Sequence, residues 1–263
     1  LGMQAKEEGL EYAISDNNAT TGQFPVTGSV QDFSRTFRDW DWNIGFRVGL
    51  GLLVSRDQWS LAAHWTHVNI TDSTSSHTTN GNVLIPLWLG PTTEVGATNV
   101  RASAKWSADF NTIDLALGKP YHVSRYFVLE PHIGLRGAWI NQDYEAKYDG
   151  TFGSVTNGRM TASNDYWGVG LRAGAQTTFV LASGWSLFGR TAGSFLFSEF
   201  DVTQNEPNPA HGYNITDEFY TNSFNWELAA GIAWGIKFNK SKNYFGLKLA
   251  YEFQQWLDQN RMR

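Results

Sequence analysis

Ionisable side chains recur at alternate positions between apolar residues in this sequence, and that spacing limits the chemistry they can perform. Successive side chains of a β-strand point to opposite faces, so each such residue shares a face with glycine and polar residues, while its neighbours form an apolar face. The residues concerned are Arg47, Asp114, Glu130, His132, Arg136, Arg172, Arg190, Glu227, Lys248 and Glu252. Charges gathered on one face of a sheet can pair with each other or line a water-filled route.

Most of these residues lie at a similar distance from a predicted short turn. The separation is about six to twelve residues, which predicts that the side chains share one level of the sheet. Two interpretations stay open at this stage. The charges form a structural ion network that fills a narrow interior, or they form a constriction in which basic residues outnumber acids and select the permeating solute.

Catalytic chemistry has weaker support in the sequence. The histidines and carboxylates of the predicted loops lie in polar runs, without the mutual spacing of a triad: Asp72, His77, Asp201, His211 and Asp217. The chain contains no cysteine, which excludes disulfides and thiolate metal sites. The glycine pairs lie inside predicted strands, not between a strand and a helix, so they do not indicate a nucleotide site. We therefore predict neither an enzyme nor a cofactor or metal site.

The elements that must position the charged residues are long amphipathic strands, best seen in residues 165–200. The first arm of this hairpin places apolar side chains on one face, among them Trp167, Val169 and Leu171, and glycine, Arg172 or polar residues on the other. After a turn at Ser183 and Gly184 the alternation resumes. The same hairpin recurs along the chain, so the apolar faces have no second layer to cover them. Lipid would cover them in a transmembrane β-barrel.

The rest of the chain repeats this pattern with alternating short and long connections. Nine strands are predicted, at residues 8–14, 39–54, 59–70, 101–122 and 126–148, in the two arms of 165–200, at 222–238 and after residue 243. Long loops are predicted at 15–38, 71–96, 149–164 and 201–221. Within the second of these, the apolar residues 83–89 should pack into the barrel mouth or against a neighbouring protomer. Short turns on one side and long loops on the other are typical of outer-membrane barrels.

Composition supports a membrane barrel and excludes other classes. The chain has 26 Gly, 12 Trp, 10 Tyr and 17 Phe, residues that barrels use at crowded walls and membrane interfaces. A run of about 18 apolar residues is absent, so no helical span is predicted. The net charge of -5 provides no basic surface for nucleic acid. Tryptophans near the ends of the apolar faces are predicted to lie at the membrane interfaces: Trp40, Trp59, Trp65, Trp139, Trp167, Trp185, Trp226 and Trp234.

Three segments resemble the Legionella-type major outer membrane protein family, which includes porins of chlamydia-like bacteria. They read EGLEYA at 8–13, WDWNIGFRVGLG at 40–51 and FQQWLDQN at 253–260. The resemblance implies a β-barrel pore in the outer membrane. It also implies a C-terminal amphipathic strand that ends in an aromatic residue, which this chain lacks. We therefore expect truncation at the C-terminus, and processing or truncation at the N-terminus.

The sequence thus predicts an all-β protein, a transmembrane antiparallel up-and-down β-barrel of about ten strands, nine of them visible, in a single domain over residues 1–263. The predicted function is a porin of the bacterial outer membrane for passive diffusion of small solutes or ions. The alternative is a surface structural or adhesion barrel with a blocked lumen. Expected partners are outer-membrane lipid and small hydrophilic solutes or ions, with homo-oligomers left open and nucleic acid excluded.

Overall fold

The computed structural model describes residues 2–16, 28–33, 42–54, 58–77, 83–89, 97–152, 155–207, 212–238 and 243–262. Within these ranges the regular structure consists of β-strands, and no helix is long and apolar enough to cross a membrane. The strands are β1 (Gly2–Met3), β2 (Ala13–Asp16), β3 (Gly28–Gln31), β4 (Asn43–Val54), β5 (Trp59–His77), β6 (Val83–Pro86), β7 (Ala97–Gly118), β8 (Tyr121–His122), β9 (Phe127–Phe152), β10 (Val155–Val180), β11 (Trp185–Glu206), β12 (Tyr213–Phe238) and β13 (Asn243–Trp256).

The strands form two antiparallel sheets. The large sheet has ten strands in the order β1-β4-β5-β7-β9-β10-β11-β12-β13, with β8 paired to β9. Eight of its strands are long and two have only two residues. The large sheet curls into a half-barrel of up-and-down strands, which confirms the predicted fold class. The inner sheet, in the order β3-β2-β6, is short-stranded and packs inside this curl.

The two faces of the large sheet differ in polarity and in exposure. Its outer face carries a band of exposed apolar side chains, such as Leu135, Val169 and Leu171, whereas Arg136 and Arg172 point inward and are buried. Trp139 lies opposite Trp167 on neighbouring strands at one border of the band, and Trp185 lies opposite Trp234 towards the other.

The band has the height that a bilayer requires. Trp167 and Phe179 bound it on β10, twelve residues apart, which corresponds to about 40 Å along a strand and about 30 Å along the normal of a sheet tilted by about 40°. The predicted interface tryptophans within the described ranges are exposed or half-buried on this face: Trp59, Trp65, Trp139, Trp167, Trp185, Trp226 and Trp234. Trp40 lies outside the described residues. Contact of these rings with the membrane interface stays a prediction.

All four predicted loops are partly wrong: residues 28–31 of the first form β3, and strands continue beyond the apolar band into the other three. β5 runs to His77, β10 already starts at Val155, and β11 and β12 extend to Glu206 and from Tyr213. The reason is that the two faces of the sheet exchange polarity beyond the band, while odd and even positions keep pointing to the same sides. On β9 the outward residues become polar beyond Trp139, whereas the inward ones, apart from Gln142, become aromatic or apolar, including Tyr144 and Tyr148. A polar outer face predicts a loop, whereas these residues belong to strands that extend past the apolar band.

The predicted first barrel strand, residues 8–14, is also wrong. Leu10 and Tyr12 are buried inside the curl, and only Ala13 and Ile14 join a strand, β2 of the inner sheet. The Tyr12 amide donates to the Gln31 carbonyl at 3.0 Å, and the Leu87 amide donates to the Tyr12 carbonyl at 3.2 Å. The alternation of Leu10, Tyr12 and Ile14 is therefore satisfied by the protein interior and not by lipid.

Candidate functional site

Two arginines and two carboxylates form a buried group at mid-height of the sheet interior, the central cluster: Asp114, Arg136, Arg172 and Glu227. Arg136 donates from Nε and Nη2 to the two carboxylate oxygens of Asp114, at 2.6 and 2.8 Å. Its Nη2 also lies 3.5 Å from Glu227, and Arg172 donates to Glu227. Arg136 is 1% exposed, so this pairing takes place away from bulk water.

The strand register brings the central cluster together. Asp114 of β7 is opposite Arg136 of β9, and Arg172 of β10 is opposite Gly134. A Cβ at Gly134 would lie 1.8 Å from the Leu115 carbonyl oxygen, so the close approach of the backbones requires glycine there. Such glycines leave the inner wall flat, and this provides room for the long arginine side chains.

A second group, the edge cluster, consists of Arg47, Arg190 and Glu252. Arg47 donates from Nη1 and Nη2 to the two oxygens of Glu252, at 2.7 and 2.8 Å, and from Nε to Thr66 at 2.8 Å. Arg190 donates to the same carboxylate at 2.8 Å. The side chains of Arg47, Arg190 and Glu252 are 19%, 23% and 21% exposed, so water reaches this cluster while it is largely excluded from the central one.

The structure places the ten predicted site residues in three settings. Eight of them belong to the two clusters or contact them, including His132, whose Nε2 lies 3.3 Å from Arg172. Glu130 lies nearer the short turns and accepts a hydrogen bond from Ser60. Lys248 lies over the Phe188 ring at 5.6 Å and forms no ion pair with a described residue. The pore-lining role of all ten residues stays a prediction.

The charges of the two clusters nearly cancel. Four arginines face three carboxylates, Asp114, Glu227 and Glu252, which leaves an excess of one positive charge. Each arginine has an acidic partner, because an unpaired charge in this environment would cost several kcal/mol. The arrangement is therefore compatible with a structural ion network, and it leaves one positive charge without a negative counterpart in the two clusters.

The inner sheet fills the space on the long-loop side of the central cluster. Its Leu84 and the adjacent Trp88 pack with Tyr12 against aromatic residues of the large sheet. Tyr148 Oη donates to the Tyr12 carbonyl at 2.5 Å, and Trp88 Nε1 donates to the Glu11 carbonyl at 2.6 Å. Burial raises the pKa of the Tyr148 phenol far above its usual range.

The predicted position of residues 83–89 is confirmed. β6 pairs with β2, and Leu84 and Trp88 are 2% and 6% exposed, so the apolar segment packs into the barrel mouth of its own chain.

Comparison with known proteins supports the assignment suggested by this architecture. The family model described as Legionella pneumophila major outer membrane protein precursor matches residues 1–263, the whole chain. The chain belongs to this family. No curated protein matches it in a sequence search.

Membership in this major outer membrane protein family places the protein in the bacterial outer membrane. The short turns of such barrels face the periplasm and the long connections face outward. Two predicted short turns lie wholly within the described residues, at 122–125 and 182–184. In the second, Ser183 and Gly184 adopt φ of 58° and 84°, and the Trp185 amide donates to the Ala182 carbonyl at 3.1 Å. The inner sheet therefore lies at the extracellular side of the charged clusters.

Two aromatic or polar residues of this family member were missed as site components. Asn225 accepts a hydrogen bond from Arg136, and the Trp256 ring lies 5.9 Å from the Arg136 guanidinium carbon. Trp256 also makes edge contacts with Phe110 and Tyr166, so it separates the central cluster from the inner sheet. Strand parity could have indicated Trp256, because it shares the inward face of β13 with Lys248 and Glu252.

The residues considered for catalysis do not form a described site. Asp72 and His77 lie on β5, Asp201 on β11 and Asp217 on β12, and His211 lies outside the described residues. Among the described residues, no group of three or more histidines and carboxylates could hold a metal ion.

Proposed function

We propose that this major outer membrane protein is a diffusion pore for small hydrophilic solutes or ions, closed in the present conformation by the inner sheet. The observation that carries the proposal is the graded exposure of the charged interior. The edge cluster and His64 and His132 remain partly accessible, whereas Arg136 is 1% exposed. This gradient of exposure supports a lumen that water enters from the periplasmic side and that is closed at the level of the central cluster and Trp256.

Fixed charges in the interior are better explained by a pore than by a barrel whose interior is only packed for stability. A buried ion pair contributes little net stability compared with apolar residues of similar volume, so stability alone gives little reason to place seven charged side chains in a barrel interior. Charges of both signs at a water-accessible level would let hydrated ions and polar solutes exchange partners along the wall. The excess positive charge would favour anions modestly.

A second function is favoured by one observation. Tyr12 and Tyr148 are 1% and 0% exposed at the contact between the inner sheet and the wall, which is the burial expected of a permanent core. A surface structural or adhesion barrel with a blocked lumen would have this feature and would act through its extracellular connections. Neither function requires a catalytic site or a cofactor.

A cross-link between the inner sheet and the wall separates the two functions. Ser76 Oγ of β5 donates to Gln31 Oε1 of β3 at 2.9 Å, and the chain contains no cysteine that could interfere. The variant Gln31→Cys/Ser76→Cys would be reconstituted in planar bilayers and treated with a short bis-thiosulfonate reagent. The two single-cysteine variants serve as controls.

For a pore closed by the inner sheet, we expect conductance steps before cross-linking, loss of these steps afterwards and recovery with reductant. Absence of conductance in the unmodified protein would instead support the structural barrel. Equal conductance with and without the cross-link would mean that the inner sheet does not close the pore.

A further inference from the structure

The outer wall of the large sheet has a polar concavity of about 400 Å³ beyond the apolar band. Hydroxyl side chains line much of it, namely Ser107, Thr161, Ser163 and Thr203. None of them is needed by the charged clusters of the interior, because they lie on the opposite face of β7, β10 and β11. The concavity is therefore a separate feature from the proposed pore.

Strand register gives the concavity its dimensions. Ser107, Asp143, Ser163 and Thr203 are direct neighbours in one row across β7, β9, β10 and β11. Four adjacent strands extend over about 14 Å, and successive outward rows are about 7 Å apart. A surface of two or three such rows, covered with hydroxyl and carboxylate groups, matches one or two sugar rings in size and in hydrogen-bonding capacity.

Two basic residues line the concavity, Arg159 and Lys105, and they differ in whether they pair with a carboxylate. Arg159 Nε lies 2.6 Å from Glu145, and Lys147 Nζ lies 3.0 Å from the same carboxylate, so Glu145 is already neutralised. Lys105 is exposed and forms no ion pair with any described residue. It can therefore bind an anionic substituent of a ligand whose hydroxyls contact the adjacent row.

The position of the concavity indicates where such a ligand comes from. Ser163 is four residues beyond the interface residue Trp167 on β10, about 13 Å along the strand and about 10 Å along the membrane normal at the tilt of barrel strands. This level is outside the hydrocarbon and at the outer limit of the headgroups. We infer that the concavity binds the anionic saccharide headgroup of a glycolipid in the outer leaflet.

Binding of lipopolysaccharide with a phosphorylated inner core tests this inference on the full chain in phospholipid nanodiscs. Charge reversal in Lys105→Glu/Arg159→Glu should weaken binding at least about tenfold, because each basic residue near an anionic surface contributes about 1 kcal/mol. Lys105→Glu alone breaks no described ion pair and should weaken binding by about fivefold or more. The control Arg101→Glu/Arg125→Glu has the same charge change outside the concavity and should bind normally.

Three results would overturn the inference. They are equal binding by the test and control variants, binding of phosphatidylglycerol as tight as that of lipopolysaccharide, and binding of the free core oligosaccharide as tight as that of the intact glycolipid. The last would assign the concavity to a soluble saccharide. Gel migration before and after heating verifies that each variant is folded. Conductance is not used, so failure of the proposed pore would not affect this test.

Discussion

Arg47 and Glu252 form a two-pronged ion pair between the first and last long strands of the large sheet, β4 and β13, although 205 residues separate them in sequence. No backbone ladder joins these two strands within the residues the structure describes. The side-chain pair therefore connects the edges of the curl at the level of the edge cluster. A planar guanidinium suits this role, because its two parallel hydrogen bonds fix the orientation of the carboxylate.

Loss of this connection should destabilise the barrel. Arg47→Ala leaves Glu252 with Arg190 and Gln254 as partners, so we expect a loss of about 1–3 kcal/mol and a lower midpoint of thermal unfolding in detergent. Arg47→Lys keeps the charge but not the paired geometry, and it should recover only part of the loss. An unchanged midpoint in Arg47→Ala would show that the pair does not hold the edges together.

The central cluster should behave as one unit. Asp114→Asn leaves Arg136 buried without its main carboxylate partner and should cost about 3–5 kcal/mol. The double variant Asp114→Leu/Arg136→Met removes both charges. It should therefore lose much less stability than the summed losses of the single variants Asp114→Leu and Arg136→Met. Additive losses, measured by urea unfolding of the four proteins, would contradict coupling in this cluster.

Ion selectivity of the pore should depend on the charge of the inward residue Lys248. Lys248 lies on the inner wall outside any described ion pair, so Lys248→Glu changes the fixed charge of the lumen without breaking the network. We expect weak anion preference in the unmodified pore and cation preference in the variant. Reversal potentials in a salt gradient measure both. The effect should diminish at high salt, where screening acts within a few Å. Cation preference of the unmodified pore would contradict the predicted positive excess.

Acid pH should favour docking of the segment that leads into the inner sheet. Burial raises the pKa of Glu7 from 4.5 to about 7, so the docked segment prefers the protonated carboxyl. The stabilisation is complete below about pH 4.5 and is lost as the pH rises to about 7, with an upper limit of roughly 3 kcal/mol. Glu7→Gln should abolish this dependence and raise the unfolding midpoint at pH 8. Parallel pH profiles for both proteins would contradict the prediction.

Lipid contact of the outer tryptophans can be measured with brominated acyl chains. Proteins that retain only Trp139 or only Trp185, which are each 46% exposed on the outer face, should show strong fluorescence quenching. A protein that retains only Trp256 serves as the matched control, because this ring faces inward beside the Arg136 guanidinium, within the height of the apolar band, and packs against Phe110 and Tyr166. Equal quenching of all three would contradict the assignment of faces.

The sequence by itself determined the direction of each side chain along the long strands. Arg136, Trp139 and their neighbours on β9 lie on the predicted faces, because the two-residue period of a strand is set by local backbone geometry. The short turn at Ser183 and Gly184 followed from the same local chemistry. The family resemblance of three segments was likewise available from sequence, and it is confirmed over residues 1–263.

The tertiary structure decided which faces are covered by other parts of the chain. Tyr12 has the alternating neighbours of a lipid-facing strand, yet it is buried against Tyr148 by the inner sheet. Polar residues beyond Trp139 and Trp167 belong to strands because the backbone ladder continues past the apolar band, where we expect water to cover the wall. The partners of Arg136 and Arg47 likewise depend on strands as far apart as β4 and β13. Periodicity shows only that two faces differ, and the packing of distant segments decides which face the protein itself covers.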